Sequence, residues 1–381
     1  MTRSREAVRS MIPKPRASLL QVSVLLGVAL FLSACVGGNG ASSWPGLTSD
    51  GSLAFVAFNE AIYAVDLQDG DLSWKYPAQT ERGRIFYAAP AVSADGLVLV
   101  GDFVNQITAL DASNGSAVWG PIQLSTPTQR IIGAPTVAGE LVLVPSSDGR
   151  LYARHLADGK EAWTFPDAAS KPLTHALWSA PVVSEDRVFL AGLDHNLYVL
   201  DLDTGELLWN DPPNLGGAVA DSPVLTNDLI LVGTFANELR ALDADRGGMQ
   251  WSFQSPDWVW GAPAVGDGIA YFGDLSGILH AVAVDDGNEI WNVALGSSIS
   301  ASPVYHQDRI YIVTEGGLLI AREASTNSEL WQKSIQGQLL SDPLLIGEIL
   351  LVASSSGEPL LSAFVAESGA SRWTFSPSEG S

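Results

Sequence analysis

After residue 35 the chain alternates between short aliphatic runs and polar turns, at about ten-residue spacing. Residues 221–253 show the pattern. Pro223-Val224-Leu225 opens one apolar run, and Asn227-Asp228 interrupts it. Leu229 to Gly233 forms a second run, closed by Ala236-Asn237. Leu239 to Asp243 forms a third, Asp245-Arg246-Gly247 turns, and Met249 to Phe253 forms a fourth. Runs this short, rich in Leu, Val and Ile and split by Asn, Asp and Gly, predict antiparallel strands joined by tight turns. No 3.6-residue periodicity of useful length competes with them after residue 35.

The four-strand unit recurs. Trp74, Trp119, Trp163, Trp209, Trp251, Trp291, Trp331 and Trp373 stand 40 to 46 residues apart. Ten residues before each is a small residue: Ala64, Ala109, Ala153, Val199, Ala241, Ala281, Ala321 and Ala363. Four before each is Gly, or Asn in the seventh unit: Gly70, Gly115, Gly159, Gly205, Gly247, Gly287, Asn327 and Gly369. Asp66, Asp111, Asp201 and Asp243 stand eight before, giving A-x-D-x-x-x-G-x-x-x-W. Pro45, Pro90, Pro135, Pro181, Pro223, Pro263, Pro303 and Pro343 run in phase, 28 to 30 residues ahead of each Trp. A fixed period of this length is the signature of a repeat architecture, and four strands per period make a propeller blade. The expected fold is all-β: an eight-bladed β-propeller of four-stranded antiparallel blades.

The repeat rationalises its own residues. The small residue is expected to make room for the indole of an adjacent blade. The Gly permits a positive-φ turn, the Asp caps that turn, and the indole N–H takes a neighbouring carbonyl. The eight Trp are read as structural docking residues. Replacing Trp209 with Ala is expected to cost roughly 3–5 kcal/mol as a large-to-small core change.

The first 35 residues read differently. Arg3, Arg5, Arg9, Lys14 and Arg16 against Glu6 form a basic start, followed by an apolar run from Ala17 to Leu32. The run ends in Leu32-Ser33-Ala34-Cys35, which matches a bacterial lipobox. Residues 1–34 are therefore expected to be a lipoprotein signal peptide. Cys35 would be lipidated, since two or more acyl chains anchor stably where one does not. Residues 35–43 would be a flexible Gly/Ser tether, and residues 44–377 the propeller. The expected destination is a bacterial membrane: the outer membrane in a cell that has two, otherwise the outer face of the cytoplasmic membrane.

Composition narrows the function. The chain of 381 residues carries a formal charge of −22 and one Cys. Five of its 20 Lys and Arg and one of its 42 Asp and Glu lie in residues 1–34, leaving 15 against 41, a net of −26. So acidic a body is not a nucleic-acid binder, because phosphate contacts need a basic surface. A single Cys excludes an intramolecular disulfide and Cys-rich metal sites. His155, His175, His195, His280 and His306 lack metal-binding spacing, and no P-loop, G-x-S-x-G elbow or dinucleotide fingerprint occurs.

With its Trp motif repeated eight times and the S/A-P-V segments between, the chain resembles the pyrroloquinoline-quinone (PQQ) repeat superfamily. The lipobox makes it similar to the non-catalytic BamB-like lipoproteins of outer-membrane assembly. The resemblance implies a lipid-anchored, non-enzymatic scaffold that binds envelope proteins, as a monomer. The catalytic members are dehydrogenases using PQQ and calcium. Their quinone is bounded by a vicinal disulfide, which Cys35 alone cannot form. No cofactor is therefore expected. A PQQ- and calcium-dependent enzyme, and a glycan or small-ligand sensor, stand as alternatives.

Candidate binding residues are those the repeat does not require. Three positions before each Pro stand Ser42, Tyr87, Ile132, Trp178, Ala220, Trp260, Ser300 and Leu340. Trp258 and Arg130 lie two residues further back, with His175 and Asp221 nearby. Tyr87, Trp178, Trp258 and Trp260 are expected to line an aromatic funnel at the mouth of the ring. Exposed aromatics beside an Arg are what peptide-binding hot spots use; the alternative is that the rings plug the axis.

Overall fold

The computed structural model describes residues 44–377, apart from Thr80, Arg82 and Gly357. The expected signal peptide and tether, with Cys35 and Ser42, lie outside the described residues. Among the described residues no helix is long and apolar enough to cross a membrane.

Eight sheets follow one another along the chain. The first is β1 (Gly46–Ser49), β2 (Leu53–Phe58), β3 (Ala61–Asp66) and β4 (Leu72–Tyr76), paired in that order. All neighbours are antiparallel, as tight turns require. Six further blades repeat this order with four strands each. The fourth blade keeps three: Val182–Ser184, Arg187–Ala191 and Leu197–Asp201. Its outer segment is reduced to the isolated bridges Leu200↔Leu207 and Asn196↔Asn214. Pro212 and Pro213 follow Trp209 there, and a residue without an N–H cannot extend a ladder.

The two middle strands of the first blade alternate poorly because both faces are covered. Val56 and Ala54 pack with Leu351 and Leu361 of the eighth blade, while Phe55 and Ala57 pack with Val98 and Val100 of the second. Every neighbouring pair of blades shares such a cluster, so the core is a ring of eight interfaces. A four-stranded sheet alone would leave both apolar faces in water. Closure into a ring removes that cost.

Tryptophan docking locks the interfaces. In seven blades the Trp faces the small residue of its own third strand, as in Ala64↔Trp74 and Ala363↔Trp373, beside a β-bulge. The small residue thus accommodates the Trp of the same blade. The residue of the adjacent blade that receives the indole is the Gly. A Cβ on Gly70, Gly115, Gly159, Gly205, Gly247, Gly287 or Gly369 would stand 2.5–2.8 Å from ring atoms of the preceding blade's Trp. The same glycines hold φ between 66° and 84°, so both space and backbone exclude a larger residue. Asn327 fills the position in the seventh blade at φ 59°, a conformation Asn tolerates.

Each indole N–H then donates to a carbonyl of the following blade. Trp74 reaches Ala112 O at 2.8 Å, Trp163 reaches Leu202 O at 2.9 Å, and Trp251 reaches Val284 O at 2.8 Å. Trp119, Trp291 and Trp331 bond Leu156, Ala324 and Ala366 in the same way. Trp373 completes the circle on Leu67 O of the first blade, at 3.0 Å. The acceptor follows the Asp position directly, except for Trp209, which has slipped one residue to Asp245 O at 3.1 Å. That slip accompanies the irregular outer edge of the fourth blade. The motif Asp residues cap their turns as expected; Asp66 Oδ1 accepts from Gln68 N and Asp243 Oδ1 from Arg246 N.

Candidate functional site

The segment that leads into each inner strand passes beside the turn between second and third strands. Phe103 N donates to Ile85 O, Phe235 N to Ala218 O, and Leu275 N to Trp258 O. One end of the ring therefore gathers the lead-in residues and these turn residues around its mouth.

The expected aromatics divide into two groups. In the first, Tyr87 stacks on Phe103 with centroids 4.1 Å apart and planes 24° apart. The Arg130 guanidinium carbon lies 4.9 Å over the same Phe103 ring. In the second, Trp258 stacks on Phe235 at 4.6 Å and 9°, and Trp260 tilts against Phe235 at 4.9 Å. Trp260 also meets Trp44 edge-to-face at 5.5 Å. Trp44 comes from the first blade and Trp260 from the sixth, so this pair reaches over the mouth.

Trp178 belongs to neither group. It is half-buried, and among the described residues no aromatic or cationic contact involves its ring. Its carbonyl packs against Gly133, where a Cβ would stand 2.3 Å away. His175 is exposed, with Nδ1 3.0 Å from Thr174 Oγ1. The four rings therefore do not form one continuous contact set. Phe103, Phe235 and Trp44 supply contacts that the lead-in positions alone do not suggest. Their signal lies in the alignment: Phe103 and Phe235 occupy a turn position held by Ser147, Leu193, Leu275, Glu315 and Ser355 in other blades.

Asp221 faces the axis. Its Oδ2 accepts from the Ser302 hydroxyl at 2.7 Å and from Ala262 N at 3.0 Å. Ser302 N donates in turn to Asp342 Oδ1 at 2.6 Å. Fifth, sixth, seventh and eighth blades are thus tied through one serine between two carboxylates. Asp342 is exposed at its surface, yet the surrounding blades crowd and desolvate its carboxyl. This desolvation, with the Asp221 charge second, pushes Asp342 from 3.8 up to about 7.

The sign of the resulting pH dependence is fixed. The folded state keeps a proton that the unfolded chain releases, so stability falls as pH rises from about 4 to about 7. Asp342→Asn is expected to flatten that slope, measured as the urea midpoint at about pH 5 and about pH 7.5. An unchanged slope would remove Asp342 from this role. Asp274 acts in the opposite sense and another window. It is buried, and hydrogen bonds from His280, Ser276, Ile278 N and Ser255 outweigh desolvation and hold it at about 2. Its contribution is lost only as pH falls from about 4 toward 2.

Among the described residues no group of three or more His, Cys, Asp and Glu is placed to hold a metal ion. Trp44 and Trp260 pack across the mouth, and the two axial carboxylates are already bonded to Ser302.

Fold and docking together define a tryptophan-docked propeller of the PQQ-repeat type. A family model described as "Outer membrane protein assembly factor BamB" matches residues 58–216 and 275–381. The chain belongs to that family. It is 30% identical over 172 residues to the outer membrane protein assembly factor BamB of Yersinia pestis, covering 43% of this chain and 42% of that protein. A quinohemoprotein alcohol dehydrogenase of Pseudomonas putida is also 30% identical, over 138 residues, covering 32% of this chain and 19% of the enzyme. Each match spans less than half of the relative. Among solved structures, BamB from Moraxella catarrhalis superposes with a TM-score of 0.67 at 15% identity, covering 82% of this chain and 91% of that one. A europium-containing methanol dehydrogenase superposes at 0.62 with 16% identity, over 81% and 82%. Those likenesses concern the fold, which catalytic and non-catalytic proteins share.

Proposed function

We propose that this protein is a lipid-anchored, non-enzymatic scaffold of the bacterial envelope, which assists outer-membrane protein assembly by binding other proteins. Family membership carries this reading. The mouth supports it: Trp258 and Trp260 around Phe235, and Tyr87 with Arg130 around Phe103, give half-buried aromatic anchors of the kind that dominate protein interfaces. Outer strands offer a second mode. Leu72, Val118, Leu208, Met249, Ile290 and Leu330 are each 43–51% exposed on or beside blade edges, where a partner strand can be added.

Crosslinking and affinity purification from native membranes tests the scaffold. The wild type is expected to recover envelope proteins, and Phe235→Ala with Trp258→Ala to lose them at unchanged thermal stability. Recovery that survives both changes overturns the mouth as the binding face. Cys35 is tested separately. Growth with an alkyne fatty acid is expected to label the wild type and not Cys35→Ala; equal labelling of both removes the anchor.

A further inference from the structure

Arg130 stands apart from the other arginines that solvent only partly reaches. Arg84, Arg154, Arg187, Arg240, Arg309 and Arg322 each meet a carboxylate. Arg150 donates to the carbonyls of Pro166, Asp167 and Ser170. Arg130 is half-buried at the mouth, and among the described residues its guanidinium makes no ion pair and no hydrogen bond. Its backbone alone is engaged: the N–H donates to Ser147 Oγ at 2.8 Å and the carbonyl accepts from Ser147 N at 2.9 Å. The side chain is nevertheless held in place, over Phe103 at 4.9 Å, with Tyr87 stacked on the same ring.

That combination is unusual in this chain. A body with 15 Lys and Arg against 41 Asp and Glu beyond residue 34 supplies acidic partners freely. A partly desolvated guanidinium without one is a cation whose donors are unspent. Guanidinium carries five N–H donors in a fork that matches a carboxylate. A neighbouring aromatic ring restricts its motion, so less side-chain freedom is lost when an acceptor arrives. The adjacent Tyr87–Phe103 pair presents an apolar surface for whatever flanks that acceptor.

We propose that Arg130, with Phe103 and Tyr87, is a receptor for an acidic residue in an extended segment of a partner protein: the carboxylate is taken by the Arg130 guanidinium, and an adjacent apolar side chain lies on the aromatic pair. The inference rests on the reading of the mouth as a protein-binding face and adds the chemistry of what binds. It also separates two tasks at the mouth. The Trp258–Phe235–Trp260 group offers apolar anchorage alone, whereas the Arg130 group selects by charge. In so acidic a protein a carboxylate-bearing partner would otherwise be repelled at long range, and one prepared cation gives it a single register.

The test uses the full chain in detergent and a phage-displayed library of random dodecapeptides. Wild type is expected to enrich Asp or Glu beside an apolar residue. Arg130→Gln is expected to lose the acidic preference, and Arg130→Glu to exchange it for Lys or Arg. A peptide selected on the wild type should bind about tenfold more weakly to Arg130→Gln, and about tenfold more weakly when its own acid is changed to the amide. The two losses should not add, since each removes the same contact. Arg130→Lys, which keeps the charge and loses the fork, should fall between. Acidic enrichment that persists on Arg130→Gln, or no acidic preference on the wild type, overturns the inference. If native pull-down still depends on Phe235 and Trp258, such a result leaves the scaffold reading standing. If pull-down is also indifferent to them, both readings fall.

Discussion

Trp74→Ala is expected to lower stability by about 3–5 kcal/mol, as loss of a large buried aromatic. Trp74 is 8% exposed, lies on Gly115, and donates its N–H to Ala112 O at 2.8 Å. Truncation empties the space over a glycine that has no side chain to fill it, and leaves a carbonyl without its donor. The first unfolding transition in guanidinium reports the loss. Trp74→Phe should recover packing but not the hydrogen bond, and fall between. A loss below about 1 kcal/mol for Trp74→Ala would show that docking does not hold the blades. Trp209, from which sequence reasoning expected the full effect, is a weaker dock. It is half-exposed, its acceptor has slipped to Asp245, and its outer segment is a pair of bridges. Its truncation is expected to cost about 1–3 kcal/mol, below the Trp74 value.

Arg84→Ala is expected to cost about 3–5 kcal/mol, because it strands a buried charge. Arg84 is 7% exposed and Asp102 is fully buried. Arg84 Nε donates to Asp102 Oδ2 at 2.9 Å, and its other nitrogens donate to Thr108 Oγ1 and the Tyr76 hydroxyl. Desolvation already raises the Asp102 carboxyl above its ordinary value, against the pull of Arg84 and of Gln106 N and Val104 N. Without Arg84 it would rise further, so the deficit should grow as pH increases above the usual carboxylate range. Asp102→Leu in the Arg84→Met background should return part of the loss. It should not return all of it, since those two backbone N–H groups then lose their acceptor. A deficit independent of pH would argue against a stranded carboxylate.

The ring was readable from the sequence because its docking residues repeat in one phase, and a departure in one blade is outvoted by seven others. Asn327 for Gly is a tolerated change of that kind. What was not readable depends on curvature. Trp44 looks like a linker residue until the first and sixth blades are brought to one mouth. Ser302 and Asp221 are 81 residues apart and meet only because two blades between them turn the chain around the axis. The role of the small motif residue was misplaced by one blade, since a repeat gives the spacing of Ala and Trp but not which copies face each other. The fourth blade's frayed edge had a visible cause in Pro212-Pro213, but no repeat rule weighs a proline pair against a tryptophan.

In every blade the strands are consecutive in the chain, the last included. The eighth runs Leu344–Ile346, Ile349–Ala353, Leu361–Val365 and Ser371–Phe375, and the first begins afresh at Gly46. Among the described residues no strand is lent across the seam. Trp373 on Gly70 and Leu67, and the Ser341 hydroxyl on Pro45 O, close it from the side. The unit of structure therefore coincides with the unit of sequence. Recombination that duplicates or deletes one period adds or removes a finished sheet and leaves none cut open. A lineage built this way can vary its circumference without inventing a new joint.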